Sequence, residues 1–264
     1  MHASLRSYSR DVTVVVTAMT YEETIFIRET VKAVADDSAT AQIILCIEDS
    51  NDWIERALGN LIEDPRLEVL RLKMALPGSI RNQALAYVRM PWIAYCDGDD
   101  IWEPDKTVIQ RALADETGAD FVGADHYIAN EDGKVCAFAL ARHLPITSSW
   151  LVRTAVMVQY PFDNTLRVAE DGDWWIRTHR RVLKVRCPKM LLRYRVRARS
   201  ASSGTPSKER KALIVRLSRN RVMRQFVLLL TWSIWFFSRR KHYLWLSQWD
   251  NASHRVEAVY TEKV

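Results

Sequence analysis

The chain has 264 residues, 48% of them hydrophobic and 27% charged, which supplies apolar surface for a sizeable core and excludes wholesale disorder. Eight glycines and eight prolines exclude collagen-like and low-complexity classes, while four widely spaced cysteines without a C-x-x-C exclude a disulfide scaffold or cysteine zinc site and suit a reducing cytoplasm. The net charge of +6 hides an asymmetry, since residues 1–170 hold 16 Lys/Arg against 26 Asp/Glu and residues 171–264 hold 22 against 6, so the front suits a cation and the back an anionic partner.

The first hundred residues alternate strand and helix signals. The opening MHASLRSYSRD has no apolar stretch of secretory type, so no signal peptide is expected. Val12–Thr17 (VTVVVT) is a β-branched run of buried-strand type. Tyr21–Val34 places apolar residues at 25, 27, 31 and 34, the spacing of an amphipathic helix. Ile43–Glu48 reads as a second buried strand, with Asn51 or Asp52 capping a helix to about residue 61. Leu67–Leu72 is a third strand, Ser79–Val88 a helix and Trp92–Cys96 a fourth strand, which runs into Asp97-Gly98-Asp99-Asp100. Pro104 then marks a helix start, with the helix continuing to about Glu116. The β-α-β-α-β-α-β order predicts an α/β fold with a mostly parallel sheet flanked by helices. Ligands of such sheets bind beyond the carboxyl ends of the strands, where Thr17, Asp49 and Asp97 fall. From Phe121 the pattern turns shorter and strand-like around an Asp132-Gly133 turn, and SASSGTPSK from Ser200 reads as a loop.

Several chemistries have no motif here. There is no G-x-G-x-x-G after the first strand, no P-loop, no G-x-S-x-G and no H-E-x-x-H. The acidic run Asp97-Gly98-Asp99-Asp100 stands out instead. Three carboxylates within four residues repel one another unless a hard divalent cation lies between them, or unless they are a solvated turn and helix cap. Glu170-Asp171, in AEDGDWWIR, pairs a carboxylate with Trp174 and Trp175, which would desolvate it and keep it basic; a plain helix N-terminus is the alternative. Arg193, Arg195, Arg197 and Arg199 alternate at period two on one face of an extended segment, ready for phosphate oxygens or for solvent.

Assembled in order, these segments resemble the inverting glycosyltransferases of family two, which have the nucleotide-diphospho-sugar (GT-A, Rossmann-like) fold. The resemblance covers about residues 11–204 and rests on VTVVVTAMTYEE, IILCIEDSND, GSIRNQAL, PWIAYCDGDDIWEPDK, PFDNTLRVAEDGDWWIR and RYRVRARSAS. It implies that Thr17 and Asp49 contact the nucleobase, with a UDP-sugar donor favoured. Arg81 would lie near the base or diphosphate. Asp97 would face the ribose or metal, and Asp99 would be the principal ligand of Mn²⁺ or Mg²⁺ in a D-x-D motif. Asp171 would be the general base with Glu170 beside it, and Arg195 and Arg197 would approach the diphosphate. Three departures stand out: Met19-Thr20 replaces the usual Tyr-Asn, the acidic end of the second strand is one residue short, and Arg197 stands where many members carry His.

The implied activity is transfer of a sugar to a hydroxyl of a lipid-linked or polysaccharide acceptor, in bacterial surface-glycan assembly. A nucleotidyltransferase would need a glycine-rich basic loop that TAMTYEE lacks, and a nucleic-acid-binding role has no recognised motif and an acidic front half against it. Residues 1–205 are expected to form the transferase domain, and residues 206–264 a basic, tryptophan-containing helical appendage. In that appendage Phe226–Phe237 is too short to span a bilayer. Its blend of Trp232, Trp235, Trp245 and Trp249 with Arg239-Arg240-Lys241 suits an anionic membrane surface, or else a helical pair packed on the catalytic domain. The expected location is cytoplasmic, with peripheral attachment to the inner face of the plasma membrane if the tail binds lipid. Asn251-Ala252-Ser253 is read as a chance sequon.

Overall fold

The computed structural model describes residues 10–139 and 145–197. The expectations for residues 198–264, including Arg199, the Ser200 loop, the domain boundary at 205 and the basic appendage, lie outside the described residues.

The β-branched runs form the strands that their burial demands. β1 (Val12–Ala18), β2 (Thr40–Glu48), β3 (Leu67–Leu72) and β4 (Trp92–Asp97) lie side by side in the order β3-β2-β1-β4, all parallel. Beyond β4 the sheet continues through β8 (Leu151–Arg153), β6 (Phe121–Ala129), β9 (Lys184–Arg195) and β5 (Ile101–Trp102), with β7 (Val135–Ala139) pairing off β6. β8 runs antiparallel to both its neighbours, whereas β6 and β9 are parallel. The expected α/β class with a largely parallel sheet and flanking helices is therefore met, and the antiparallel insertion of β8 adds to it.

Alternate residues of each central strand feed two apolar layers, as the pleat requires. Val14, Val16, Ile43, Leu45 and Ile47 face α1 (Ile27–Asp36), α2 (Trp53–Leu58) and α4 (Lys106–Thr117). Val15, Ile44, Ile93 and Tyr95 face α3 (Pro77–Ala84) and an aromatic group of Phe121, Trp150, Phe162 and Trp174. Trp150 stacks on Phe162 with ring centroids 5.7 Å apart and tilts against Trp174 at 4.8 Å. Among the described residues no helix is long and apolar enough to cross a membrane.

Helix ends depart from the expectations in ways with local causes. The predicted Tyr21–Val34 helix is split, with Tyr21–Ile25 a 3-10 turn and α1 starting at Ile27. Thr20 N–H donates to Glu23 Oε2 at 2.7 Å and fixes the early turn, and buried Phe26 marks the break. The second helix stops at Leu58 because Gly59 takes φ +57°, a value that suits glycine. Asn51 caps it, its Oδ1 accepting from Ile54 N–H at 3.3 Å. The third helix begins two residues early, on Pro77, and ends at Ala84 with a 3-10 turn over Leu85–Tyr87. Pro104 stays outside α4, whose entry is Asp105 in the left-handed region at φ 58°.

Candidate active site

Polar residues gather at the carboxyl edge of β1, β2 and β4. Parallel register sets Thr17 of β1 directly beside Asp97 of β4, and Thr17 Oγ1 donates to Asp97 Oδ1 at 3.1 Å. Asp97 N–H donates to Ser148 Oγ at 3.1 Å from the other side. The next residue must be glycine for steric reasons. A Cβ on Gly98 would sit 2.9 Å from both Ala18 Cβ and the Thr17 carbonyl oxygen. This close approach lets Gly98 N–H donate to Thr17 O at 2.8 Å while its own carbonyl accepts from Thr30 Oγ1 at 3.1 Å. The acidic turn is thereby folded over the end of β1 and held there.

Asp100 is fully buried behind the turn, accepting from Arg195 N–H at 3.0 Å. Burial, together with the charges of Asp99 and Asp97, pushes its carboxyl well above the usual carboxylate range. Asp99 is also mostly buried, and burial and Asp97 raise its pKa while Arg197 opposes them. Arg197 Nε lies 2.5 Å from Asp99 Oδ2, although the N–H is not aimed as a hydrogen bond, so the contact is chiefly Coulombic.

Of the stripe's described arginines, Arg195 and Arg197 are largely shielded from water and Arg193 is partly exposed. Arg193 Nε donates to Glu103 Oε1 at 2.7 Å, and Arg195 is buried, its guanidinium donating to Asp99 O and to Glu29 Oε2, each at 2.8 Å. The pairing of β5 with β9 sets Ile101 opposite Arg193 and so brings the end of β9 against the acidic turn. Glu23 is a carboxylate that the sequence reading passed over. Burial raises its pKa to about 7, Thr20 N–H opposes that, and the charges of Asp99, which raises it further, and Arg197, which lowers it, place Glu23 beside the same turn. The T-Y-E-E stretch carries no signal that distinguishes Glu23 from a surface helix residue.

Arg81, projecting from α3, joins the two acidic regions. Its Nη2 donates to Asp97 Oδ1 at 2.7 Å and its Nη1 to Glu170 Oε1 at 2.5 Å. The side chain is only 5% exposed, and its guanidinium carbon lies 5.8 Å from the Phe162 ring centroid. Burial works against its charge, but Asp97 and Glu170 outweigh it and hold the guanidinium firmly protonated. Glu170 and Asp171 open α6 (Glu170–Arg177) after Ala169 in the left-handed region at φ 59°. Asp171 Oδ1 accepts from Gly172 N–H at 2.7 Å. Burial first, then the charge of Glu170, pushes the Asp171 carboxyl up to about 6, with the Gly172 N–H and Arg81 pulling the other way.

Of the residues singled out in the sequence, Thr17, Arg81, Asp97 and Glu170 thus form one connected group. Asp171 adjoins it through Glu170 and the field of Arg81, and Asp99, Arg195 and Arg197 join it through the turn. Asp49 stands apart, exposed just past β2, with its backbone N–H on Leu72 O at 2.8 Å. Near it, an open cavity of about 570 Å³ is lined by Tyr21, Thr24, Asp52, Trp53, Arg56 and Ala57, and its lining does not reach the carboxylates. Asp97 and Asp99 offer hard oxygen donors of the kind that Mg²⁺ or Mn²⁺ accepts. Among the described residues no three metal-ligating side chains are grouped closely enough to hold an ion by themselves, so this pair fits a cation shared with ligand oxygens.

Residues 13–171 match the model of the family described as Glycosyl transferase family 2. No curated protein matches the chain. Among solved structures, S. aureus TarS 1–349 in complex with UDP-GlcNAc is similar at 18% identity, covering 78% of this chain and 66% of that one with a TM-score of 0.62. The same protein in complex with UDP matches at 16% identity over 78% and 64% of the two chains, with a TM-score of 0.61. The mannosyltransferase PcManGT from Pyrobaculum calidifontis, in complex with GDP-Man and Mn²⁺, matches at 15% identity over 80% of this chain and 61% of that one, with a TM-score of 0.59. The chain spans slightly less than two thirds of the length of these structures, and at such identities the likeness is one of fold.

Proposed function

This chain belongs to glycosyl transferase family 2, and from that premise we propose that it moves a sugar from a nucleoside diphosphate donor, UDP-sugar favoured, to an acceptor hydroxyl with inversion at the anomeric carbon. The acceptor class is a lipid-linked or polysaccharide glycan of a bacterial surface. One observation carries the reading: buried Arg81 binds Asp97 of the acidic turn and Glu170 of the α6 N-terminus at once, so the acidic turn and the carboxylate next to Asp171 are held against one side chain.

Asp171 is the general base in this reading. A carboxyl pushed up to about 6 is ionised at neutral pH yet basic enough to accept the proton as the acceptor oxygen attacks. Attack from the face opposite the leaving diphosphate inverts the anomeric centre. Glu170, paired to Arg81, fixes the start of α6 and hence the position of Asp171. In this reading Thr17 and Asp49 would contact the nucleobase, Arg81 would lie near the base or diphosphate, and Asp97 would face the ribose or metal. Arg195 and Arg197 supply positive charge towards the diphosphate. Asp99 and Asp97 would hold Mn²⁺ or Mg²⁺, which when bound neutralises charge on the leaving diphosphate. The bound nucleotide sugars in the similar structures, and the Mn²⁺ in one of them, support this choice of ligands. In this reading residues 1–205 form the transferase unit, and residues 206–264, rich in Arg, Lys and Trp, either meet an anionic membrane surface at the inner leaflet or pack on the catalytic domain.

The test is a panel of UDP-, GDP- and dTDP-sugars scored by thermal stabilisation with and without Mn²⁺, followed by NMR of the product's anomeric proton. A donor that binds raises the melting temperature by mass action. Stabilisation by no nucleotide sugar, or a product with retained configuration, would overturn the reading.

A further inference from the structure

The two arginines at the end of β9 are held differently. Arg195 is anchored by three contacts, to Asp99 O, Glu29 Oε2 and, through its backbone N–H, Asp100 Oδ1. Its guanidinium also lies 4.4 Å from the Phe26 ring centroid. Arg197 follows the strand and engages the Asp99 carboxylate by the unaligned 2.5 Å charge contact, with the Phe26 ring 5.9 Å away. Both members of that pair are largely shielded from water, at 14% and 12% side-chain exposure. Arg197 therefore places positive charge on a carboxylate oxygen that a divalent cation would need. Among the described residues fewer than three such ligands come together there, which suits a cation that shares oxygens with a second ligand.

We propose that Arg197 guards Asp99, so that the chain takes up a divalent cation together with a diphosphate and only weakly before it. Free cation must displace a guanidinium from Asp99 in a shielded site and leave it only the field of Glu23. A diphosphate changes the balance, because its oxygens accept the arginine fork and release the carboxylate. The two bindings are then linked through one side chain, and linkage is reciprocal: each ligand tightens the other by the same factor. This inference rests on the nucleoside diphosphate reading above, and it adds an order of assembly and a residue that enforces it.

The experiment measures Mn²⁺ binding to the full chain by the EPR signal of the free ion, alone and with saturating UDP, for the native protein, Arg197→Ala and Arg197→Gln. UDP should tighten Mn²⁺ on the native protein by about tenfold or more, and Mn²⁺ should tighten UDP by the same factor. Both variants should bind Mn²⁺ alone about tenfold more tightly than the native chain, with the enhancement by UDP correspondingly reduced. Arg197→Gln keeps the aliphatic stem and a neutral polar end, and serves if Arg197→Ala fails to fold. Variants that bind Mn²⁺ alone no more tightly than the native protein would overturn the proposal. If the native chain binds neither UDP nor GDP, the donor reading fails, while the comparison of Mn²⁺ alone still decides the guarding role.

Discussion

Replacing Arg81 by Met removes a buried cation that pairs with two acidic regions and keeps most of the side chain's volume against Phe162. Native Arg81 donates to Asp97 at 2.7 Å and to Glu170 at 2.5 Å. The Glu170 side chain is 10% exposed and the Asp97 side chain 35%. Deleting one partner of a buried ion pair costs about 3–5 kcal/mol, because the other charge is left without compensation. Asp97 recovers part of that loss, since it keeps the Thr17 hydroxyl and reaches water. The lower end of the range therefore applies, about 3 kcal/mol, or a fall of about 6–12 °C in Tm for a domain of this size. Urea unfolding followed by tryptophan fluorescence gives the number directly. Adding Glu170→Gln to Arg81→Met should restore about 1–2 kcal/mol, because the stranded charge is then gone. A loss below about 1 kcal/mol for Arg81→Met, or a double variant no more stable than the single one, would refute the reasoning that Arg81 compensates these two carboxylates.

Other expectations follow from the same geometry. Asp171→Asn should slow sugar transfer by about 10²–10⁴-fold while calorimetry finds UDP binding little changed. Because Asp171 must be ionised to act and its pKa is raised to about 6, the native rate should climb with pH below that point and level off above it, a slope that kcat/KM against pH will show. Gly98→Ala forces a Cβ to within 2.9 Å of Ala18 and the Thr17 carbonyl, and urea titration should show a loss of about 1–3 kcal/mol. Lys106 is fully buried, with Nζ donating to Gln110 Oε1 at 2.9 Å, and burial pushes its pKa down to about 8. The folded state thus binds this proton less tightly than the unfolded chain, so the group's penalty is full below pH 8 and is relieved as pH rises towards 10.5. Native stability relative to Lys106→Met should accordingly improve between pH 7 and 10, by at most about 3 kcal/mol, and a flat difference across that range would contradict it.

The parallel half of the sheet was legible because β-branched runs such as VTVVVT and IILCIE have no other comfortable state, and the polar residues that end them mark the ligand edge. Helix ends were less legible. Gly59 and Asp105 break regularity through positive φ, and a single side-chain contact at Thr20 converts a predicted helical turn into a 3-10 one. The acidic residues of the candidate site could be named from local pattern, but their partners could not. Arg81 and Glu170 are 89 residues apart, and nothing local says that they touch. The arginine alternation left its surroundings open for a related reason: a period-two stripe looks the same facing water or facing a buried acidic turn, and the pairing of β5 with β9 brings Arg193 and Arg195 to that turn. Glu23 was missed because its importance comes from Asp99 across the fold, not from its neighbours in the chain.

The placement of β4 between β1 and β8 has a consequence for synthesis on the ribosome. Thr17 meets a carboxylate made 80 residues later, and Arg81 waits for a glutamate that emerges later still. A nascent chain that has released only its first three strands holds an open hydrogen-bonding edge on β1 and no complete cleft. Completion of the candidate site must then come at the end of folding, once distant segments have closed on one another, which is the slow kind of assembly. A nucleotide added to refolding protein should leave the early steps untouched and act by trapping molecules that have already finished.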